Sequence, residues 1–336
     1  MSQGRFKNPV EATLTGIRDL FRKQDLAGHL NDTDRLDGKT CLVTGASSGL
    51  GFAVAVDMAR RGARVIMACR SGIPEKGETM KRLSGAQLVE MRHIDLADFN
   101  SVSGFCQGLQ RDAVRLDVVV SNAGVAPAKG RKTKDGLDEI FQVNFLAPVW
   151  LIEKLLESGV IANDAFAGNG VPAGAPRPRI VFVSSDSHRG ASEIDWAEFG
   201  TYFDYGVNKA MSNYSYYKLV LNTFATELAR RLLRPDGQPD VSVNVMCPGP
   251  VNSNIARDAP PLLHAFIKGI FRLFFRSPQV AAQPVLYLCA SAEVEGKTNY
   301  YLHMFNEKPM DPKCYDPEAG TKLWERSFGL LRELGW

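Results

Sequence analysis

The 336-residue chain is 45% hydrophobic and 23% charged, which is globular composition with enough length for one large α/β domain or two smaller ones. A net charge of +3 is too small to point to nucleic acid as a partner. The six cysteines, at positions 41, 69, 106, 247, 289 and 314, form no C-x-x-C pair, and four of them lie in apolar runs. That pattern predicts buried, reduced thiols in an intracellular protein rather than disulfides or a zinc site, and no H-E-x-x-H or clustered Cys/His set predicts a metal. No transmembrane or secretory segment is predicted, because the longest apolar run, Leu262 to Phe275, is broken by His264, Lys268 and Arg272. The expected localisation is cytoplasmic, with peripheral contact at a membrane surface left open.

In chain order, residues 1–36 read as an extension. Val10, Leu14, Ile17 and Phe21 recur there at helical spacing, which predicts a short amphipathic helix packed on the body, on a second subunit or on a membrane surface. A β-rich run, Cys41 to Thr44, then leads into Gly45, Ser47, Ser48, Gly49, Leu50 and Gly51 and a helical pattern to Arg61. Glycines between a strand and a helix allow a sharp turn and close approach of backbone to a pyrophosphate, and the helix N-terminus favours negative charge. The second strand, Ala63 to Ala68, ends beside Arg70; an arginine here accommodates a ribose 2′-phosphate, whereas an acidic residue would bind the 2′-hydroxyl. Arg70 therefore points to NADP, with NAD as the alternative.

The third strand, Leu88 to Ile94, ends at Asp95 and Leu96, and the fourth, Leu116 to Val120, at Ser121, Asn122, Ala123 and Gly124. Strand carboxyl ends are where open α/β sheets bind ligands. Asp95 reads either as an adenine-pocket residue or as the cap of the following helix. A largely apolar helix over Leu137 to Glu157 is interrupted by Asn144, whose amide needs partners in either a structural role or a proton relay. The fifth strand, Arg179 to Val183, ends at Ser184 and Ser185; residues 186 to 203 read as a surface loop. A helix over Met211 to Leu233 and a strand over Val241 to Met246 follow, the latter ending at Pro248, Gly249, Pro250, Val251, Asn252 and Ser253. This alternation predicts a doubly wound parallel sheet with helices on both faces.

Two Tyr-x-x-x-Lys pairs, Tyr205/Lys209 and Tyr214/Lys218, fall between Ser185 and that last strand. On a helix, residues four apart share a face, so either pair can set an ammonium beside a phenol and favour the phenolate. Tyr214 stands 34 residues before Pro248 and Tyr205 stands 43 before it. The helix and strand after the tyrosine must cross the sheet at fixed length, whereas a surface loop absorbs insertions cheaply. Tyr217, Leu221, Phe224, Leu228 and Leu232 carry a helical stripe in register with Tyr214, while Gly206 and Asn208 weaken a helix through the first pair. The catalytic pair is therefore assigned to Tyr214 and Lys218.

Taken together, TGASSGLG, SNAG, VSS, Tyr-x-x-x-Lys and CPGPV resemble the short-chain dehydrogenase/reductase family over roughly residues 37–302. ACR, EKGE, SSDSH, YSYYKLVLNTFATELARRL and FFRSPQVAAQ are similar to its retinol dehydrogenase-like branch, with protochlorophyllide reductases as a second neighbour. The resemblance implies a Rossmann enzyme in which Tyr214 is the general acid/base and Lys218 lowers its pKa and holds the nicotinamide ribose. It further implies that Ser185 polarises the substrate oxygen and that Asn144 supports a proton relay. Gly45, Ser47, Leu50, Asp95, Asn122 and Gly124 become cofactor contacts, with Pro248, Gly249, Val251 and Ser253 completing the cleft. The implied substrates are bulky lipophilic alcohols, aldehydes or ketones; a C=C reductase and a non-catalytic NADP-binding protein are the alternatives.

An apolar stripe through Leu262, Phe266, Ile270 and Phe274 predicts a substrate lid over about residues 252–277. His188 and His264 are candidates to line that pocket. Residues 303–336 are expected to form a helical tail with Leu323, Trp324, Ser327, Leu330 and Leu331 on one side. A homo-oligomer is left open.

Overall fold

The structure, a computed structural model, describes residues 30–172, 174–249 and 277–336. The N-terminal amphipathic pattern, Val251, Ser253, His264 and nearly all of the predicted lid lie outside the described residues.

Apolar runs too short for helices become the strands of one sheet: β1 (Thr40–Thr44), β2 (Arg64–Cys69), β3 (Val89–His93), β4 (Val118–Ser121), β5 (Arg179–Val183), β6 (Ser242–Cys247), β7 (Tyr301–His303) and β8 (Asn306–Glu307). Their spatial order is β3-β2-β1-β4-β5-β6-β7-β8, parallel throughout except for the final β7–β8 pair. The order reverses at β1 and β4, and that reversal opens the ligand crevice at the strand carboxyl ends. Both faces of the sheet are buried, so side chains alternate between two apolar layers. Leu42, Ile66, Val119, Ile180 and Val243 enter one layer, and Val43, Val65, Met67, Val118 and Val181 enter the other.

Two helices, α1 (Gly49–Arg60) and α6 (Pro278–Ala290), cover the second layer. The first layer is covered by α3 (Phe99–Arg111), α4 (Ala147–Glu157, with Glu139–Phe141 and a π turn at Gln142–Leu146 leading into it), α5 (Val207–Arg231) and α7 (Pro317–Glu333). The short α2 (Glu75–Ser84) joins β2 to β3. Asp98 caps α3 by accepting from the Asn100 amide at 3.0 Å, so the capping role falls to Asp98 and leaves Asp95 at the strand end.

Two expectations change. The helix α5 begins at Val207, four residues before the predicted start, because Gly206 serves as its N-cap and Asn208 is tolerated inside the first turn. Residues 186–190 form a 3₁₀ turn in which His188 and Arg189 are buried, so the predicted surface loop begins only after them.

The tail packs on the outer side of α5. Trp324 stacks flat on Phe224, with centroids 5.4 Å apart and planes 4° apart, and the Arg231 guanidinium lies 4.3 Å from its ring. Replacing Trp324 with alanine should lower stability by about 3 kcal/mol, read as an earlier urea midpoint. An unchanged midpoint would show that the tail does not brace α5.

Candidate active site

The β1–α1 turn is built for close backbone approach. Gly45 has φ +66°, and a Cβ at Gly51 would stand 2.4 Å from Asn122 Nδ2 and 2.6 Å from the Gly45 carbonyl oxygen. Ser48 is the N-cap of α1 but makes no side-chain capping bond, and the first turn carries no acidic residue. The leading amides of the helix are thus left for an anion. The β4 end is fixed against this turn: Thr44 Oγ1 accepts from the amides of Asn122 (2.9 Å) and Ala123 (3.0 Å), and Asn122 Nδ2 donates to the Thr44 carbonyl at 2.9 Å. Ser47 and Gly49 flank the turn while Leu50 is buried beneath it.

At the end of β2, Arg70 is exposed with its guanidinium 4.0 Å from Asp95 Oδ1, and Leu96 is buried beside them. These residues fit a dinucleotide: an anion cradle at the helix N-terminus, and a cation half exposed at the neighbouring strand end. Pro248 and Gly249, partly buried, continue the carboxyl end of β6.

The structure brings Ser185, Tyr214 and Lys218 together. Tyr214 lies one turn inside α5 from Lys218, whose ammonium stands 5.6 Å from the phenol ring centroid. Ser185 lies near enough to the Tyr214 phenol for its hydroxyl to favour the ionised form. Lys218 is 5% exposed and donates to the Val183 carbonyl at 3.0 Å. Burial draws its pKa down to about 8. Burial also raises the Tyr214 phenol above its ordinary value, a rise increased by Cys247 and opposed by the Ser185 hydroxyl.

Asn144 sits in the π turn, buried. Its Oδ1 accepts from the Val125 amide and its Nδ2 donates to the Val125 carbonyl, both at 2.8 Å, and Gly124 leaves room beside it. Its amide is thereby occupied, with no direct side-chain bond to Ser185, Tyr214 or Lys218 among the described residues. Tyr205 lies before α5 and so shares no helix face with Lys209. Its phenol is 5% exposed with no hydrogen-bond partner, and burial, followed by Asp138, pushes it upward.

The Ser185 turn is held from below by residues that sequence reasoning did not connect. His188 Nδ1 lies 2.8 Å from the Ser185 carbonyl and its Nε2 accepts from the Asp311 amide at 3.0 Å, so it is a buried bridge. The Asp186 carboxylate gathers Arg189 (2.9 Å), Lys308 (2.8 Å) and the Tyr301 hydroxyl (3.1 Å), with His303 at 3.6 Å. His303 and Cys247 are register partners on β7 and β6. Nothing in local sequence marks that pairing, since it depends on which strands adjoin. Among the described residues no cluster of His, Cys, Asp and Glu is arranged to hold a metal.

The comparisons with known proteins place the chain in a family. Residues 39–193 match the family model for short chain dehydrogenases. The chain belongs to that family and is an NAD(P)-dependent oxidoreductase. It is 36% identical to human retinol dehydrogenase 14 over 90% of this chain and 89% of that protein. It is 32% identical to mouse retinol dehydrogenase 13 over 97% and 94% of the two. Among solved structures, an uncharacterised protein from Mycobacterium paratuberculosis superposes with a TM-score of 0.66 at 25% identity, covering 90% of this chain and 98% of its own. The Pseudomonas aeruginosa RhlG/NADP complex gives 0.59 at 22% identity, covering 82% and 98%, and shares the fold.

Two outcomes follow from the geometry. Tyr214→Phe should lower turnover by about 10³-fold while leaving nucleotide binding nearly unchanged, and Tyr205→Phe should cost less than about threefold; the reverse ranking in steady-state assays would move the acid/base to Tyr205. His188 is held neutral by burial, its pKa drawn from 6.5 to about 4. The unfolded chain therefore takes up a proton that the folded chain refuses, so stability should fall by up to about 3 kcal/mol as pH drops from 6.5 to 4. Denaturant titrations at stepped pH should show His188→Gln with a shallower loss.

Proposed function

We propose that this chain interconverts bulky lipophilic alcohols with their aldehydes or ketones using NADP(H). The observation that carries the reading is the half-buried Ser185 and Tyr214 beside the buried Lys218, at the carboxyl ends of β5 and β6 next to the glycine turn. In carbonyl reduction the Tyr214 phenol gives its proton to the substrate oxygen, and in alcohol oxidation it takes the hydroxyl proton. Ser185 donates a hydrogen bond to the same oxygen and fixes its position against Tyr214. Burial keeps the phenol protonated, the form that carbonyl reduction needs at the outset. The nicotinamide, when bound, supplies or accepts the hydride at the carbinol carbon.

In this reading Gly45, Ser47, Ser48, Gly49, Leu50 and Gly51 hold the pyrophosphate, and Arg70 holds the 2′-phosphate. Asp95, Leu96, Asn122, Ala123 and Gly124 line the adenosine half of the cleft, while Pro248 and Gly249 bound the nicotinamide half. Lys218 has one hydrogen-bond acceptor among the described residues, and its remaining N–H groups suit ribose hydroxyls. Asn144, held by Val125, keeps the backbone beside Gly124 in place for the proton relay. Similarity to retinol dehydrogenases 14 and 13 supports the lipophilic substrate class. No helix among the described residues is long and apolar enough to cross a membrane. Contact with a membrane surface is the mode of access to such substrates that this reading favours.

Arg70→Ala should raise the KM for NADPH about tenfold or more while changing that for NADH by less than about twofold. Equal effects on both would remove the 2′-phosphate role. An NADPH-linked panel should favour retinaldehyde and long-chain aldehydes over glyceraldehyde, and a preference for the small polar carbonyls would reject the substrate class.

A further inference from the structure

Cys247 ends β6 with its thiol on the face covered by α5, and it is 3% exposed. Its sulfur accepts the Asp186 amide at 3.1 Å. Across the β6–β7 ladder it faces His303, which is 5% exposed and has no hydrogen-bond partner at either ring nitrogen. The His303 Nδ1 lies 3.6 Å from Asp186 Oδ1, so the imidazole stands between a thiol and a carboxylate. Leaving both nitrogens of a buried imidazole unpaired is costly, and a proton shared toward the sulfur relieves it.

The electrostatics agree with this geometry. Burial alone would push the Cys247 thiol upward, but the facing His303 imidazole outweighs it and leaves the thiol below the ordinary cysteine value. Burial alone would lower His303, yet Cys247 and Asp186 carry it to about 9. The other five cysteines go the opposite way: burial raises Cys69 to about 11, Cys106, Cys289 and Cys314 to about 12, and Cys41 further still. The remaining charged and titratable groups around the pair are Arg189 and Lys308 on the Asp186 carboxylate, Tyr301 behind it, and Lys218 and Tyr214 on α5.

We propose that Cys247, set between His303 and the Asp186 amide, is a modification site at which soft electrophiles of the α,β-unsaturated carbonyl class add and block the adjoining Ser185–Tyr214 centre. The thiolate sulfur bonds the β-carbon and the C=C electron pair moves onto the carbonyl oxygen. The proton held by His303 then returns the enolate to a saturated carbonyl, so no oxidant is needed. The thioether displaces the Asp186 amide from the sulfur, and Ser185 is the next residue along that turn. The substituent thus lands where substrate oxygen must be held.

The test uses the full chain and N-ethylmaleimide, followed by peptide mass measurement and residual turnover. Cys247 should be labelled about tenfold faster than the other five cysteines, and turnover should fall in step with that label. Whatever its starting rate, Cys247→Ser should resist inactivation, and His303→Gln should slow labelling of position 247 about tenfold without changing the other sites. In the unaltered chain the labelling rate of Cys247 should level off at a lower pH than that of the other five cysteines, which should keep rising about tenfold per unit. No adduct at Cys247 in the folded protein, inactivation that tracks another cysteine, or a pH profile at Cys247 that matches the other five would each overturn the proposal. The mass readout is independent of which substrate the enzyme uses.

Discussion

A buried ammonium is the constraint around which this site is arranged. Lys218 is held 5% exposed with the Val183 carbonyl at 3.0 Å. Removing such a charge from water costs several kcal/mol unless oxygens replace the lost hydration. One carbonyl at the end of β5 is a partial replacement, and the pKa drawn down to about 8 reports the shortfall. Such a lysine persists only on a helix that cannot drift. The helix α5 is fixed by Tyr217 and Leu221 in the first core layer and by Phe224, on which Trp324 of the α7 tail stacks. An acceptor-rich ligand beside Lys218 therefore gains from a cost that folding has already met, which is the logic of a preorganised site.

The Ser185 turn obeys a related rule. Its charged neighbour Asp186 is half-buried yet stays ionised, well below the ordinary carboxylate range, because His303, Lys308 and Arg189 together outweigh the burial that opposes it. His188 adds a neutral bridge from the Ser185 carbonyl to the Asp311 amide. Residues after position 300 thereby hold a serine that precedes them by more than a hundred positions. The short-chain dehydrogenase match ends at residue 193, so these anchors lie outside the stretch that carries the family pattern.

What the sequence made legible followed from local physics. The strand β5 was readable to the residue because the apolar run Ile180–Val183 follows Arg179 and is bounded by Pro178 and Ser184. The position of Tyr214 on α5 could be read from the invariable length of a helix and strand that cross one sheet. Asn144 was visible as a polar break in an apolar helix, but the π turn that accommodates it was not, since one extra residue per turn leaves no compositional mark. The start of α5 was misread because glycine was weighed as a breaker where it serves as a cap. The burial of His188 and Arg189 was hidden because their polar side chains find partners far along the chain. Cys247 and His303 were invisible as a pair for the same reason.

The strand order also sets a kinetic condition. Apart from β7 and β8, every neighbouring pair is parallel, so each ladder closes a crossover before its first hydrogen bond forms. The β1–β4 and β6–β7 pairings join residues such as Cys41 with Val118 and Cys247 with His303, and the entropy of those loops is lost before any contact repays it. The molecule has few local pairings with which to begin. Parallel pairings of this range are intrinsically slow to form.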